Sequence, residues 1–470
     1  MNETSQPLEL LLSVTRDGPG TLGRQVEAQL RHAIREGTLH AGARVPSTRD
    51  LARQLGVSRR VVVDAYAQLA AEGYLSLRQG ARPQVSEAAV AVKARDEPEL
   101  LPARRPRFDF RPSVPDVSAF PRTAWLRSLR EAVSAITDAD LGYGDPNGVE
   151  RLRTALAEYL GRVRGVVAEP ARVVVTSGYI QGLGLVCHAL ASCGVKRIGI
   201  EDPGDPEART IAARTGLEPV PIRVDEAGIR VDELARANVD AVVVTPAHQH
   251  PTGVGLTGQR RTELLSWLAD RDAIAVEDDY DGEYRYDRAA VGALQGLGPD
   301  RIVYAGTASK TLAPALRLGW LVLPPKLLHA VSHEKILADR GTARIEQHAF
   351  ADFLKRGELD RHLRRMRARY RLRRDVLVEA LADALPQATV HGIAAGLHAT
   401  VRLPDTYDEG AIREHAERRG IRLDVMTDYR TASTGPPTLL LGYAQITESA
   451  IRAGVRELEG AVRDSLSRTQ

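Results

Sequence analysis

Cysteine, lysine and long apolar runs are scarce in this chain, and each scarcity excludes a class of protein. The two cysteines, Cys187 and Cys193, lie six residues apart without histidines at ligand spacing, which fits neither a disulfide framework nor a zinc site. They read as buried thiols of a reducing compartment. No stretch of the chain approaches the roughly 20 apolar residues of a membrane span. The opening MNETSQPLELLLSVTRDG lacks the basic flank and small-residue cleavage site of a signal peptide. A soluble cytoplasmic protein with no membrane partner and no bound metal is therefore expected. Internal repeats and low-complexity tracts are absent too. Lysine occurs only as Lys93, Lys196, Lys310, Lys326, Lys335 and Lys355, although Lys and Arg together number 64. Any lysine chemistry must come from that short list.

What is present is unevenly spread. At roughly 100–200 residues per domain, the 470 residues leave room for two or three cores. The formal net charge is only +3, but between Thr21 and Val85 ten arginines face five acids, an excess of +5 that leaves −2 for the remainder. Such asymmetry favours a polyanionic partner for this segment alone. Within it Leu22, Val26, Leu30 and Ala33/Ile34 recur at helical spacing until Gly37. Pro46-Ser47-Thr48 opens a second helix under a hydroxyl cap and Gly56 closes it, after which Ser58 caps a third helix from Arg59 to Glu72. That helix buries Val62, Ala65, Tyr66 and Leu69, and it leaves Arg59 and Arg60 at the N-terminal end, where a recognition helix meets bases and phosphates. Tyr74–Leu77 and Pro83–Val85 form a short hairpin, or wing, joined through Arg78-Gln79-Gly80-Ala81-Arg82.

A helical dimerisation domain with solvated arginines would show the same helices, but the wording is more specific. PSTRDLARQLGVSRRVVVDAYAQLAAEGYL resembles the winged helix-turn-helix of GntR-type bacterial repressors along its whole length. The resemblance implies that Arg49, Ser58, Arg59, Arg60 and the wing around Gly80 and Arg82 face double-stranded operator DNA. Val62, where such proteins often carry threonine, and the wing GARPQV depart from the pattern.

Residues 1–20 form an N-terminal extension, 21–85 the winged helix-turn-helix, and 86–107 a charged, Pro- and Ala-containing surface linker. Beyond it, short apolar strands alternate with helices: VVVT at 173–176, RIGI at 197–200, AVVVT at 241–245, AIAVED at 273–278, IVYAG at 302–306 and LGWLVL at 318–323. This alternation predicts an α/β domain over 108–470 with a mainly parallel sheet. A large part covers about 140–334. A smaller α/β lobe covers about 335–470, with a long Arg-rich helix near 356–383 and strands near 396–402 and 439–444.

In such a sheet, ligands bind at the carboxyl ends of the strands. Ser177-Gly178-Tyr179 follows VVVT and turns into a helix whose free N–H groups suit phosphate. Asp278-Asp279-Tyr280-Asp281 follows AIAVE, and Thr307-Ala308-Ser309-Lys310-Thr311 follows IVYAG, with Arg317 seven residues on. Pyridoxal 5′-phosphate requires an amine for its aldehyde, a carboxylate for its ring nitrogen, and hydroxyl, N–H and Arg groups for its phosphate. Each requirement has a candidate here: Lys310 for the Schiff base and Arg317 for two phosphate oxygens. A lysine in a loop is ordinarily a solvated charge, but the Ser-Lys…Arg spacing points to the cofactor.

YGDPNGVERLRTALAEYL (143–160), VVVTSGYIQGL (173–183), TPAHQHPTG (245–253), VEDDYDGEY (276–284) and GTASKTLAPALRLGW (306–320) resemble fold-type I aminotransferases. By that resemblance Lys310 carries the cofactor, Asp278 pairs with its ring nitrogen, Tyr280 lies near its ring hydroxyl, and Tyr179 lies near the ring. Ser177, Gly178, Ser309 and Arg317 hold the phosphate, and Tyr143 reaches across a homodimer interface. A GntR-type head on such a body resembles the MocR/GabR family of pyridoxal-phosphate-dependent transcription regulators over nearly the entire chain.

Three departures bear on activity. Leu439-Leu440-Leu441 stands where enzymes of the fold carry a carboxylate-binding arginine, with Arg402, Arg422 or Arg430 as possible replacements. His250, beside the cofactor position, replaces an asparagine. Asp205 and Glu207 stand where relatives carry an aromatic and an arginine. The expectation is a sensor without physiological turnover. It binds operator DNA and reads pyridoxal phosphate, or an amine or amino-acid effector, through a Lys310 aldimine, with vitamin B6 synthesis among the processes such relatives control. The alternative is a pyridoxal-phosphate-dependent aminotransferase with an accessory DNA-binding head.

Overall fold

The computed structural model describes residues 12–78, 81–87, 106–286 and 291–466. The chain divides into two compact units, Met1–Arg104 and Arg105–Gln470. Most of the linker and Gly80 of the wing lie outside the described residues.

In the head, α1 (Leu22–Arg35) starts under Thr21, whose hydroxyl accepts the Arg24 N–H, and buries Val26, Leu30 and Ile34 along one stripe. The second helix, α2 (Thr48–Leu55), is capped by Ser47 Oγ, which accepts the Asp50 N–H, and ends at Gly56 in the left-handed conformation. The third, α3 (Arg59–Ala71), buries Val62, Ala65, Tyr66 and Leu69, the four expected positions. Ser58 stands at its cap with extended backbone, but its hydroxyl makes no capping bond; that part of the expectation is corrected. Strands β1 (Leu75–Ser76) and β2 (Gln84–Val85) pair antiparallel as the wing. Two of the ten arginines are used internally. Arg31 forms a bidentate pair with Glu72, and Arg35 donates to the Tyr74 hydroxyl, so the charge excess overcounts the cations free to meet a polyanion.

The second unit opens with β3 (Phe108–Asp109). Its large sheet contains β4 (Val173–Thr176), β5 (Arg197–Asp202), β6 (Glu218–Asp225), β7 (Gly228–Ile229), β8 (Ala241–Val244), β9 (Ile274–Asp279), β10 (Ile302–Thr307) and β11 (Gly319–Val322). Among the described residues these eight strands are ordered β4-β11-β10-β9-β8-β5-β6-β7. Only β11 and β7 run against the rest. Successive side chains feed opposite faces. Val173 and Val175 join the core under the helices Glu150–Arg164 and Arg344–Lys355, while Val174 joins the core under Tyr179–Ser192. Burial on both faces explains why these strands read as unbroken apolar runs.

The smaller lobe holds β12 (Thr389–His391), β13 (His398–Arg402), β14 (Ile421–Arg422), β15 (Asp424–Val425) and β16 (Thr438–Gly442). A four-stranded antiparallel sheet is ordered β12-β13-β16-β15, and the long Arg-rich helix runs from Glu358 to Ala384. A pairing the pattern does not announce is that of β14 with β3, parallel, with Ile421 opposite Phe108. The first residues after the linker thus belong to the C-terminal lobe. Cys187 is buried but Cys193 is exposed, which corrects the reading of both as buried thiols. Among the described residues no helix is long and apolar enough to cross a membrane.

Among the described residues the most buried charge pair is Arg164 with Asp279, both side chains 1% exposed. Arg164 Nε and Nη2 meet the two carboxylate oxygens at 2.6 and 3.1 Å, Nη1 donates to the Val291 carbonyl, and the Tyr304 hydroxyl donates to Asp279. Breaking one side of such a pair strands a buried charge. Arg164→Leu should therefore lose about 3–5 kcal/mol of stability in this unit. The check is denaturant unfolding followed by tryptophan fluorescence, since Trp125, Trp267 and Trp320 all lie in the second unit.

Candidate functional site

The carboxyl ends of β4, β5, β8, β9 and β10 face one cavity of about 310 Å³. Its walls include Gly178, Tyr179, Asp205, His250, Asp278, Tyr280, Ser309, Lys310 and Arg317. Of the ten cofactor positions expected from sequence, eight line it. Ser177 and Tyr143 do not. The Ser177 N–H is turned to Gln181 Oε1 at 2.7 Å, and Tyr143 is 80% exposed.

Local sequence explains the placement. Gly178 has a φ of +117° at the N-terminus of Tyr179–Ser192, a backbone that side chains disfavour. A Cβ there would stand 3.5 Å from the Arg317 guanidinium. The missing Cβ and the free N–H groups of the helix start leave an anion cradle facing Arg317. Arg317 and Ser113, another wall residue, both adopt left-handed backbone at φ +49° and +58°. Such conformations concentrate at functional sites. On β10, Thr307 accepts the Ser309 N–H and starts the short helix Ala308–Thr311, which presents Lys310.

Burial pulls the Lys310 ammonium below its ordinary value, against the opposing pull of Asp278, Asp281 and Asp205. Burial pushes the Asp278 carboxyl well up, reinforced by Asp205, Asp279 and Asp281 and relieved by Lys310. Asp278 Oδ1 is enclosed without a hydrogen-bond partner. A protonated ring nitrogen would satisfy it, so the residues present fit pyridoxal phosphate. His250 is driven down to about 3 by burial and by Lys310 and His248, and its ring lies edge-on to Tyr280, His398 and Tyr429.

A second layer could not be inferred from spacing. His248 Nδ1 lies 2.9 Å from Asp281 and 3.1 Å from the Tyr280 hydroxyl, all buried. It ties together two strand ends that neighbour each other in the sheet. Burial, with Asp281 and Asp278 close by, pushes the Tyr280 phenol well above its ordinary range. The HQ of TPAHQHPTG and the last Asp of DDYD are the only sequence trace of this bridge. Arg402 and Arg430 line a separate cavity with Arg223, and Arg422 is exposed; none reaches the wall beside Lys310. Lys335 is enclosed by Asp339, Thr342 and Gln181, and Lys326 is paired with Asp272.

In the head, Arg49, Ser58, Arg59, Arg60 and Arg82 are all exposed. Arg59 Nε lies 3.5 Å from Thr48 Oγ1, joining the N-terminal ends of α2 and α3. Arg60 makes only a loose surface contact with Asp64 at 3.8 Å.

Residues 22–85 match the model of the gntR family of bacterial regulatory proteins, and residues 116–455 match aminotransferase class I and II. The HTH-type pyridoxine biosynthesis transcriptional regulator PdxR of Corynebacterium glutamicum is 32% identical over 97% of this chain and 99% of its own length. The probable rhizopine catabolism regulatory protein MocR of Rhizobium meliloti is also 32% identical, over 96% of each chain. Among solved structures, the Pyrococcus horikoshii kynurenine aminotransferase, determined in complex with PMP, superposes with a TM-score of 0.70. It is 26% identical and covers 76% of this chain and 91% of its own. The multiple substrate aminotransferase of Thermococcus profundus gives 0.71 at 25% identity, covering 81% and 96%.

Gly178→Val should narrow the cradle against Arg317 and strain the turn. The expected result is at least about a tenfold weaker uptake of pyridoxal phosphate, measured by titrating the protein with the cofactor and following its absorbance.

Proposed function

The chain belongs to the MocR-type regulators, in which a gntR-family head is fused to a class I and II aminotransferase fold. On that premise we propose that it is a transcription regulator that binds pyridoxal phosphate at Lys310 and reads the cofactor, or an amine that meets it there, as its signal. The observation that carries this reading is the single cavity that joins Lys310, the unpartnered Asp278 oxygen and the Gly178–Arg317 cradle.

Bound in that cavity, pyridoxal phosphate supplies an aldehyde that joins amines reversibly. The chain's own groups have separable tasks. Lys310 offers an amine whose proton is weakly held because the site is dry. Asp278 holds a proton at the ring nitrogen, and the bridge from Asp281 through His248 orients the Tyr280 phenol. Arg317, Ser309 and the N–H groups after Gly178 hold the phosphate. Turnover of amino acids would also need a cation for the substrate carboxylate. Among the described residues Arg317 is the one arginine on the wall, and the phosphate claims it, which favours sensing over transamination.

Communication with DNA follows from differential binding. A ligand shifts an equilibrium only by the difference in its affinity for two arrangements. Support comes from the path of the chain. Phe108–Asp109 pairs with β14, Phe110 bonds Arg422 and Gly442, and four residues after Asp109 the chain reaches Ser113 on the cavity wall. The first described residues after the linker are thus anchored to the ligand site. We read the protein as a cytoplasmic homodimer, an assembly favoured by the exposure of Tyr143 and Leu141, so that two heads read paired half-sites. The role of PdxR in pyridoxine biosynthesis makes vitamin B6 synthesis the first process to examine.

Lys310→Ala should abolish the visible absorbance of covalently held cofactor and remove any effect of pyridoxal phosphate on operator affinity. Unaltered absorbance in that variant would refute the site. Arg59→Ala combined with Arg60→Ala should weaken binding to the DNA upstream of the protein's own gene by about 1–3 kcal/mol per lost base contact. The cofactor spectrum should stay intact, and fluorescence anisotropy at two salt concentrations checks the binding.

A further inference from the structure

One wall of the Lys310 cavity is acidic. Asp205 and Glu207, in the turn after β5 and at the start of the helix Pro206–Arg214, both line it together with Asp278. Lys310 and Arg317 are the cations on the wall among the described residues. Glu207 is exposed at the mouth, and its carboxylate has no ion-pair partner among the described residues. Asp205 is half-buried. One of its oxygens accepts the Glu207 N–H at 2.9 Å. Arg209 makes its hydrogen bonds to the carbonyls of Gly204 and Tyr429. Burial pushes the Asp205 carboxyl up and the Glu207 charge adds to the rise, offset only in part by the Glu207 N–H and by the charges of Arg209 and Lys310.

We propose that the effector is a diamine: one amino group meets the cofactor at Lys310, and the second, as ammonium, is held between Asp205 and Glu207. The inference rests on the proposed cofactor function and adds the chemical class of the ligand. An amino acid would bring its carboxylate against two carboxylates, and like charges in contact oppose binding. A monoamine would leave both acids unmatched. A diamine presents a cation at each end and places one of them against the acidic wall.

The test uses full-length protein loaded with pyridoxal phosphate and freed of excess cofactor. Three four-carbon probes are compared by calorimetry and by the change in visible absorbance: putrescine, γ-aminobutyrate and n-butylamine. Putrescine should bind at least about tenfold more tightly than either other probe, with a preference that shrinks as salt is added. Glu207→Arg, an exposed change, should lower the affinity for putrescine and raise that for γ-aminobutyrate, while Asp205→Asn, which keeps an N-cap, should weaken putrescine alone. Equal or tighter binding of γ-aminobutyrate to the natural protein, or the same order of affinities in Glu207→Arg, would overturn the diamine assignment. If the protein takes up no cofactor, the proposed function fails and the assignment with it. If cofactor binds and controls operator affinity but the order of the probes is wrong, the diamine assignment alone fails.

Discussion

The arrangement of the ligand site depends on a charge pair that does not touch the cavity. Arg164 grips Asp279 through two hydrogen bonds on one face of β9, and the same guanidinium reaches the carbonyls of Gly282 and Val291. Consecutive residues of a strand point to opposite faces, so fixing Asp279 into the interior turns Asp278 toward the cavity it shares with Lys310. The approach is so close that a Cβ on Gly282 would fall 2.1 Å from the Asp279 carboxylate. Isolated in a dry interior, either charge would be strongly unfavourable. Together, with Tyr304 as a further donor, they hold the strand end from which Asp278, Tyr280 and Asp281 all project.

Which features could be read in advance depended on how locally they are encoded. The helices of the head carry period, caps and glycine stops within a few residues, and the sheet strands are apolar runs followed at once by the residues that line the cavity. That Lys310, Asp278 and Arg317 meet in one cavity was therefore accessible from spacing and family wording. The pairing of β3 with β14 was not. It joins two-residue strands more than three hundred positions apart, and a two-residue strand has no period to detect. The idle Ser58 hydroxyl, the diversion of Arg31 and Arg35 to internal partners, and the exposure of Cys193 are outcomes of tertiary geometry that composition cannot resolve. The His248 bridge belongs to the same class. A histidine in a proline-rich turn carries no sign of which carboxylate it will meet.

The loop after β5 has two employments. The carboxylate of Asp202, the last residue of β5, accepts the N–H groups of Thr431, Ala432 and Ser433, and Gly204 and Arg209 both bond the Tyr429 carbonyl. A few residues later the same loop supplies Asp205 and Glu207 to the cavity. One wall of the cavity and the attachment of the smaller lobe are thus built on one short segment. The strand that precedes Ser113 runs back into that lobe. Under the proposed function a ligand contacting this loop acts on the same lobe that anchors the root of the linker. No long relay of side chains is needed.

An aldehyde cofactor condenses with whatever free amine it meets, whereas a guanidinium stays protonated and does not compete. Among the described residues, Lys335 is enclosed by three polar partners and Lys326 is held by Asp272, which leaves only Lys196 and Lys355 as loosely held surface amines beside Lys310. Replacing surface lysine by arginine keeps the charge that solubility and DNA binding require, yet strips the protein of decoy sites. Under the proposed function, so short a list of competing surface amines directs an aldehyde ligand chiefly to Lys310.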